Sequence, residues 1–440
     1  EPAPEPAPEP APEPAPEPAP PVWRSQNLLP IIGTSVGASG EGQITKLGYG
    51  DIYENEPGDL SNGNEWGLNY TQKVPNVNLV RLPFSWAPGT YGSGGGFFSS
   101  PGQPGEPTAA GEVNSGQQLV VDTTYRNQFV AGVNSFINSN PNTIVILDCH
   151  CYLNWMTTEQ DDNTVTTEPN GTPRVWQAII EACRDDSVSG YVGVIDFNNN
   201  YIWLELQNEP LKLSNYASWQ DTIDKIRDPA GLNLSNKIVL GAEQGGNTQF
   251  GKFVSYNGYS SYQPKKGFWK YGEPAVDGSV SFPIDNNLCI SLHNYVDKNS
   301  AGTDYSNQLE PQQTQAIFTP NVLQNVFNKI NEPSPHPNID IILGETGIPT
   351  QGAAGEPTNY QNGIDSINYL LQNFIGEPTT LLPQSFKGNN ISNKLLTENM
   401  GGYILGYVHW TIPALPNTVS QSYDQNVLTN VVAHLTHPIN

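Results

Sequence analysis

The chain has 440 residues, 43 acidic and 19 basic side chains, and a formal net charge of −24. That balance excludes a nucleic-acid or anionic-membrane partner, since phosphate-rich surfaces are bound by an excess of Lys and Arg. Only 14% of residues are charged, against about 25% in an ordinary globular chain. Polarity comes instead from Asn, Gln, Ser, Thr and Gly, a composition suited to a secreted protein that handles a neutral, hydroxyl-rich ligand.

Residues 1–20 are five copies of Glu-Pro-Ala-Pro. Proline at every second position removes backbone donors and favours polyproline II, so the segment is expected to be a disordered tail or linker that packs no core. Extended, it would reach about 60 Å at ~3.1 Å per residue. An upstream module would attach through it. The tail holds five of the acids, which leaves −24 + 5 = −19 on residues 21–440. That remainder is expected to form one domain and to act as a monomer. No secretory leader precedes the tail, so the chain is expected to be a processed form. No run of about 18 apolar residues exists, so no membrane span is expected.

Eight short apolar runs follow, at 30–36, 78–83, 143–150, 201–207, 237–242, 288–293, 339–344 and 403–409. Such runs suit strands buried on both faces. Helical spacing is expected at 66–73, 124–138, 174–183, 216–227, 314–331 and 359–374, with 425–435 supplying the last helix. Trp219, Ile223 and Ile226 share one face of the fourth helix, which should pack on the strands. Strand and helix alternate without a hairpin signal, so the fold class is α/β, a (β/α)8 TIM barrel. The surplus over ~250 residues goes into long βα loops, chiefly 85–122 and 244–287. Gly-Glu-Pro recurs at irregular spacing from 105, 272, 355 and 376 and reads as repeated turns.

The four cysteines show no zinc spacing. Cys149 and Cys151 flank His150 on one strand and should point into the helix layer, where Cys183 could reach one of them. Four cysteines allow three full pairings, among which the sequence does not choose. The six histidines show no metal-ligand clustering, so no metal or organic cofactor is expected.

In a parallel barrel, catalytic groups sit at the C-terminal strand tips. Those tips carry Arg81 (VRLPF), His150 (ILDCHCY), Asn208 and Glu209 (YIWLELQNEP), His293 and Tyr295 (SLHNY), Glu345 (ILGETG) and Trp410 (VHW). Asn-Glu-Pro also occurs at 55–57 and 331–333, but only the copy at 208–210 follows a strand-like run. The other two read as turns. A lone strand-end His is more often structural, and Trp410 alone would read as core. Convergence of so many polar and aromatic tips on one mouth is harder to explain by packing. Glu209 and Glu345 lie on strands four and seven, opposite in the ring. Two carboxylates facing each other across a sugar are what glycoside hydrolysis requires. Arg81 would favour an anion nearby, and Tyr295 could donate a hydrogen bond to it. Glu205, on the face of Glu209 but lower, and Glu243, at the end of strand five, are expected to be structural or to touch substrate.

Taken together, Arg81 in RLPF, His150, Asn208-Glu209-Pro210, His293-x-Tyr295, Gly344-Glu345 and Trp410 resemble the glycoside hydrolase family 5 pattern, in order and on the expected strands, over about residues 28–415. HNYVDKNSAGT and LGETG are similar to the fungal-type endoglucanases (cellulases) of that family. The resemblance implies that Glu209 is the acid/base and Glu345 the nucleophile. It implies that Asn208 bonds the sugar 2-hydroxyl and that Arg81 and Tyr295 hold the nucleophile. His150 and His293 would contact sugar and acid/base, and Trp410 would be the stacking floor. The strand-five end, AEQGGN, departs from the pattern by lacking an aromatic. Trp86, Tyr152, Trp155 and Trp269 could stack sugar rings or pack as loop core. The expected activity is a secreted, retaining endo-β-1,4-glucanase acting on cellulose or a related β-glucan, with an upstream carbohydrate-binding module able to attach through the proline-rich tail. The alternatives are a mannanase or xyloglucanase of the same fold, or a non-catalytic carbohydrate-binding protein. Retention of both Glu209 and Glu345 argues against the last.

Overall fold

The computed structural model describes residues 31–35, 78–84, 97–98, 119–149, 172–187, 193–208, 216–241, 287–293, 295–298, 304, 306–318, 339–348, 355–370 and 404–409. Eight strands run through them: β1 (Ile31–Ser35), β2 (Leu79–Phe84), β3 (Ile144–Cys149), β4 (Ile202–Glu205), β5 (Ile238–Gly241), β6 (Leu288–His293), β7 (Ile339–Thr346) and β8 (Ile404–His409). Each pairs in parallel with the next, and β8 pairs with β1 through Ile31↔Gly406 to Thr34↔His409, closing the barrel. The apolar runs form strands because every described side chain of β2 to β6 is buried, as expected where a parallel sheet is covered on both faces.

The barrel interior is plugged by Leu79, Ile144, Ile146, Trp203, Val239, Cys289, Ile342 and Val408, which draw on every strand from β2 to β8. Close approach at the seam is set by Gly33, where a Cβ would lie 2.4 Å from the Leu79 carbonyl oxygen. Toward the bottom, the Lys237 ammonium stands 5.6 Å from the centre of the Trp203 ring.

The described helices are α1 (Thr123–Ser139), α2 (Thr172–Arg184), α3 (Tyr216–Arg227), α4 (Pro311–Phe318) and α5 (Pro357–Leu370). Asp122 caps α1 by accepting from the Tyr125 amide at 2.9 Å, which satisfies one of the orphan first-turn donors. Phe84, at the outward-facing end of β2, packs edge-on against Phe129 of α1 and Trp176 of α2. Arg126 of α1 is buried and donates to the carbonyls of Ala182, Asp185 and Gly193. One guanidinium thus ties the C-terminal end of α2 to its neighbour. Ile223 and Ile226 of α3 are buried as their spacing predicts.

Three expectations are corrected. The helix expected from 314 begins at Pro311, and the one expected from 359 begins at Pro357. Both start on Glu-Pro, where proline takes the first helical position and its missing N–H costs nothing. Before α4, Gln313 reaches back to accept from the Glu310 amide at 2.9 Å, half of a capping box. Before α5, Gly355 adopts φ +77°, which a glycine tolerates without strain. A disulfide from Cys183 is not formed: Cys183 is a free, buried thiol. Burial pushes the Cys183 thiol far up, so it stays protonated and inert.

The tail at 1–20, the helices expected at 66–73 and 425–435, the loop stretches 85–96, 99–118 and 242–286, and His150, Cys151, Glu209, Glu243 and Trp410 lie outside the described residues. So do Trp86, Tyr152, Trp155 and Trp269.

Candidate active site

A buried arginine in the middle of β2 is the centre of the site. Arg81 is fully enclosed and shares a register row with Ile146 and Trp203 on β3 and β4. Its guanidinium forks onto Glu205, with Nε donating to Oε2 at 2.7 Å and Nη2 to Oε1 at 2.9 Å. Nη2 also donates to Asn208 Oδ1 at 2.7 Å and lies 3.1 Å from Asp148 Oδ2. Nη1 donates to Glu345 Oε2 at 3.1 Å. One planar cation therefore joins the tips of β3, β4 and β7, as its rigid fork of donors permits and a lysine could not.

Glu345 is held from a second side. Tyr295 donates its hydroxyl to Oε1 at 2.6 Å, and His293 Nδ1 lies 3.4 Å from Oε2. Both carboxylate oxygens are thus engaged by partners from different strands. Asn208 is anchored through its backbone, whose N–H donates to the Cys149 carbonyl at 3.0 Å. Just before it, the Leu206 carbonyl accepts from Trp176 Nε1 of α2 at 2.9 Å. The backbone leading into Glu209 is therefore fixed from β3 and from the helix layer.

Electrostatically, the cluster sets one guanidinium against three carboxylates. Burial alone would lower Arg81, but Asp148, Glu205 and Glu345 more than offset that and hold it well above its ordinary value. Glu205 is raised, first by burial and further by Asp148, with Arg81 opposing. The two directions are compatible because a single cation cannot neutralise all three acids. The guanidinium stays charged, and Glu205 is the acid that burial favours in its neutral form.

The structure brings together Arg81, Asn208, His293, Tyr295 and Glu345 of the residues singled out from the sequence. His150, Glu209 and Trp410 fall outside the described residues, each adjacent in sequence to a described strand or site residue. Asp148 and the direct Arg81–Glu205 pairing were not anticipated. Their signal was an acid inside an otherwise apolar strand run, at even spacing below His150 and Glu209 respectively. The sequence leaves Glu205 as structural or substrate-contacting, and its enclosure against Arg81 is the structural arrangement. Among the described residues, no group of three or more His, Cys, Asp or Glu side chains is placed to hold a metal ion.

The family model Cellulase (glycosyl hydrolase family 5) matches residues 61–377. That span runs from before β2 to beyond α5 and contains Arg81, Asn208, Glu209, His293, Tyr295 and Glu345. No curated protein matches the chain. Among solved structures, a Bacteroides ovatus GH5 xyloglucanase in complex with a XXXG heptasaccharide superposes with a TM-score of 0.52 at 15% identity, over 94% of this chain and 76% of that one. An endo-β-1,4-glucanase from Xanthomonas axonopodis pv. citri gives 0.49 at 14% identity, over 93% and 100%. A family 5 enzyme from Prevotella bryantii gives 0.49 at 13% identity, over 94% and 98%. The xyloglucanase superposition supports the barrel fold, and the family model covers well over half of the chain. With its strand-tip carboxylate, tyrosine, histidine and arginine gathered at one mouth, this chain belongs to glycoside hydrolase family 5.

Proposed function

We propose that the protein is a secreted, retaining endo-β-1,4-glucanase that cleaves internal bonds of cellulose or a related β-glucan by double displacement. The observation that carries the reading is the clamp on Glu345. A carboxylate gripped on both oxygens by Tyr295 and Arg81 is fixed in direction, as a nucleophile approaching one anomeric carbon needs to be. Arg81 takes the carbonyl oxygen of Asn208, so the amide nitrogen is the end turned away from the guanidinium. That is the donor a sugar 2-hydroxyl would meet.

In this reading Glu209 protonates the departing glycosidic oxygen while Glu345 attacks the anomeric carbon and forms a glycosyl ester. Glu209, now a carboxylate, takes a proton from water, which attacks the same carbon and releases the sugar with its original configuration. The two carboxyl groups then stand about 5–5.5 Å apart. His150 and His293 contact sugar and acid/base, and Trp410 lies beneath the ring being cleaved. The Glu-Pro-Ala-Pro tail serves as a linker.

Reducing-sugar release from carboxymethylcellulose, compared with galactomannan and xyloglucan, tests the substrate. Fastest release from carboxymethylcellulose is expected. Preference for galactomannan or xyloglucan would replace the glucanase reading with a mannanase or xyloglucanase one, and no release from any would leave a carbohydrate-binding protein.

A further inference from the structure

Simple alternation along β7 would turn Glu345 the wrong way. Successive strand residues point to opposite faces. Ile342 belongs to the barrel plug, so Gly344 should face inward and Glu345 outward into the helix layer. The register shows how this is avoided. Between β6 and β7 the pairs run Ser291↔Ile342 and Leu292↔Leu343, and then His293 pairs with Glu345, skipping Gly344. Against β8 the ladder shifts over the same stretch, between Leu343 and Thr346. An extra residue on one strand is a β-bulge, which re-aims the side chains after it. Here it turns Glu345 inward beside His293 and within reach of Arg81.

The space at the bulge is already occupied. A Cβ on Gly344 would lie 1.8 Å from Ser291 Oγ and 3.0 Å from Ser291 Cβ. Rotating the hydroxyl would relieve the first contact but not the second, since the Cβ is fixed by the backbone. Ser291 itself is fully buried, and its Oγ has no hydrogen-bond partner among the described residues.

We propose that Gly344 and Ser291 are a positioning pair: the missing Cβ of one and the small side chain of the other let β7 bulge against β6, and that bulge aims Glu345 into the barrel. The inference rests on the reading of Glu345 as nucleophile. Neither residue touches the sugar; both act through the direction of Glu345.

The test uses the full chain and an activated 2-deoxy-2-fluoro-β-cellobioside, which transfers its sugar to the nucleophile and releases its leaving group. Gly344→Ala should label at least about 10²-fold more slowly than the parent, the usual cost of ~1 Å of misplacement, with probe affinity little changed. Adding Ser291→Gly should return labelling close to the rate of Ser291→Gly alone, and adding Ser291→Ala should recover only part, because its Cβ remains. Such coupling between contacting residues is what a double-mutant cycle reads. If Gly344→Ala does not fold, the comparison of Gly344→Ala/Ser291→Gly with Ser291→Gly alone still decides, by labelling rate and melting temperature together. Parent-like labelling of Gly344→Ala, or no recovery on adding Ser291→Gly, overturns the positioning pair. A label mapped in the parent to a residue other than Glu345 overturns the functional reading instead.

Discussion

Arg81 grips Glu205 with two parallel hydrogen bonds, Nε to Oε2 at 2.7 Å and Nη2 to Oε1 at 2.9 Å, in a fully enclosed setting. The fork fixes the plane of the guanidinium and leaves Nη1 aimed at Glu345, 3.1 Å away. Glu205 therefore orients the group that orients the carboxylate at the end of β7.

The fork gives the first prediction. Arg81→Lys keeps the charge but cannot serve Glu205, Asn208 and Glu345 at once. Turnover should fall by about 10²-fold or more. Arg81→Met removes the cation and strands the buried acids, and should destabilise the fold by ~3–5 kcal/mol. Urea titration and steady-state kinetics on the two variants separate these effects. Parent-like turnover in Arg81→Lys would contradict the role given to the fork.

Tyr295→Phe removes a single hydroxyl, the one that donates to Glu345 Oε1 at 2.6 Å. A hydrogen bond to a charged group contributes ~1.5–3 kcal/mol, or roughly tenfold to a hundredfold in rate at ~1.4 kcal/mol per decade. Turnover should drop by that factor while the melting temperature stays close to the parent's. Equal losses of stability and activity would make Tyr295 a packing residue.

The third prediction concerns pH. Glu205 is raised by burial above its unfolded value of about 4.3. A carboxyl raised on folding binds its proton more tightly in the native state. Its contribution is therefore fully present below about pH 4.3 and is lost as pH rises toward the folded value. This group's contribution should grow as pH falls through the range in which the native carboxyl takes up its proton. Glu205→Gln, which cannot titrate, should lack that contribution to the slope. Melting temperatures of both proteins at pH 5, 6 and 7 check this; identical slopes would show that Glu205 does not titrate there.

Strands β2 to β6 were legible in the sequence because each is buried on both faces and reads as one apolar run. Helix starts were less so. Glu310-Pro311 and Glu356-Pro357 look like loop punctuation, yet each opens a helix, because proline at the first position is compatible with both. Site membership could be read from the strand tips, but not its wiring. Arg81 was expected to serve Glu345, whereas its fork lies on Glu205 and only one nitrogen reaches Glu345. An acid in an apolar strand, such as Asp148 or Glu205, does announce an interior partner. Which partner it finds depends on barrel stagger, which short-range pattern does not encode. The bulge at Gly344 was likewise invisible, because a glycine before a strand-end acid is compatible with a straight ladder.

Glu209 is tested against its own sequence neighbours in kind. Glu209→Gln keeps the volume and removes the proton donor, and should cost about 10²–10⁴ in turnover on substrates with poor leaving groups. Glu56→Gln and Glu332→Gln, in the two other Asn-Glu-Pro copies, should leave activity unchanged. Comparable damage from either would move the acid/base to another copy.

The division of labour between the two carboxylates is tested most directly by azide rescue. Glu345→Ala, given azide and an activated aryl β-cellobioside, should release the aryl group and form the α-glycosyl azide, because azide enters the face the carboxylate vacated. Glu209→Ala still forms the ester on Glu345, and azide should displace it to give the β-glycosyl azide. A β-azide from Glu345→Ala and an α-azide from Glu209→Ala would exchange the two roles. An α-hemiacetal as the first product of the unmutated enzyme would contradict double displacement altogether.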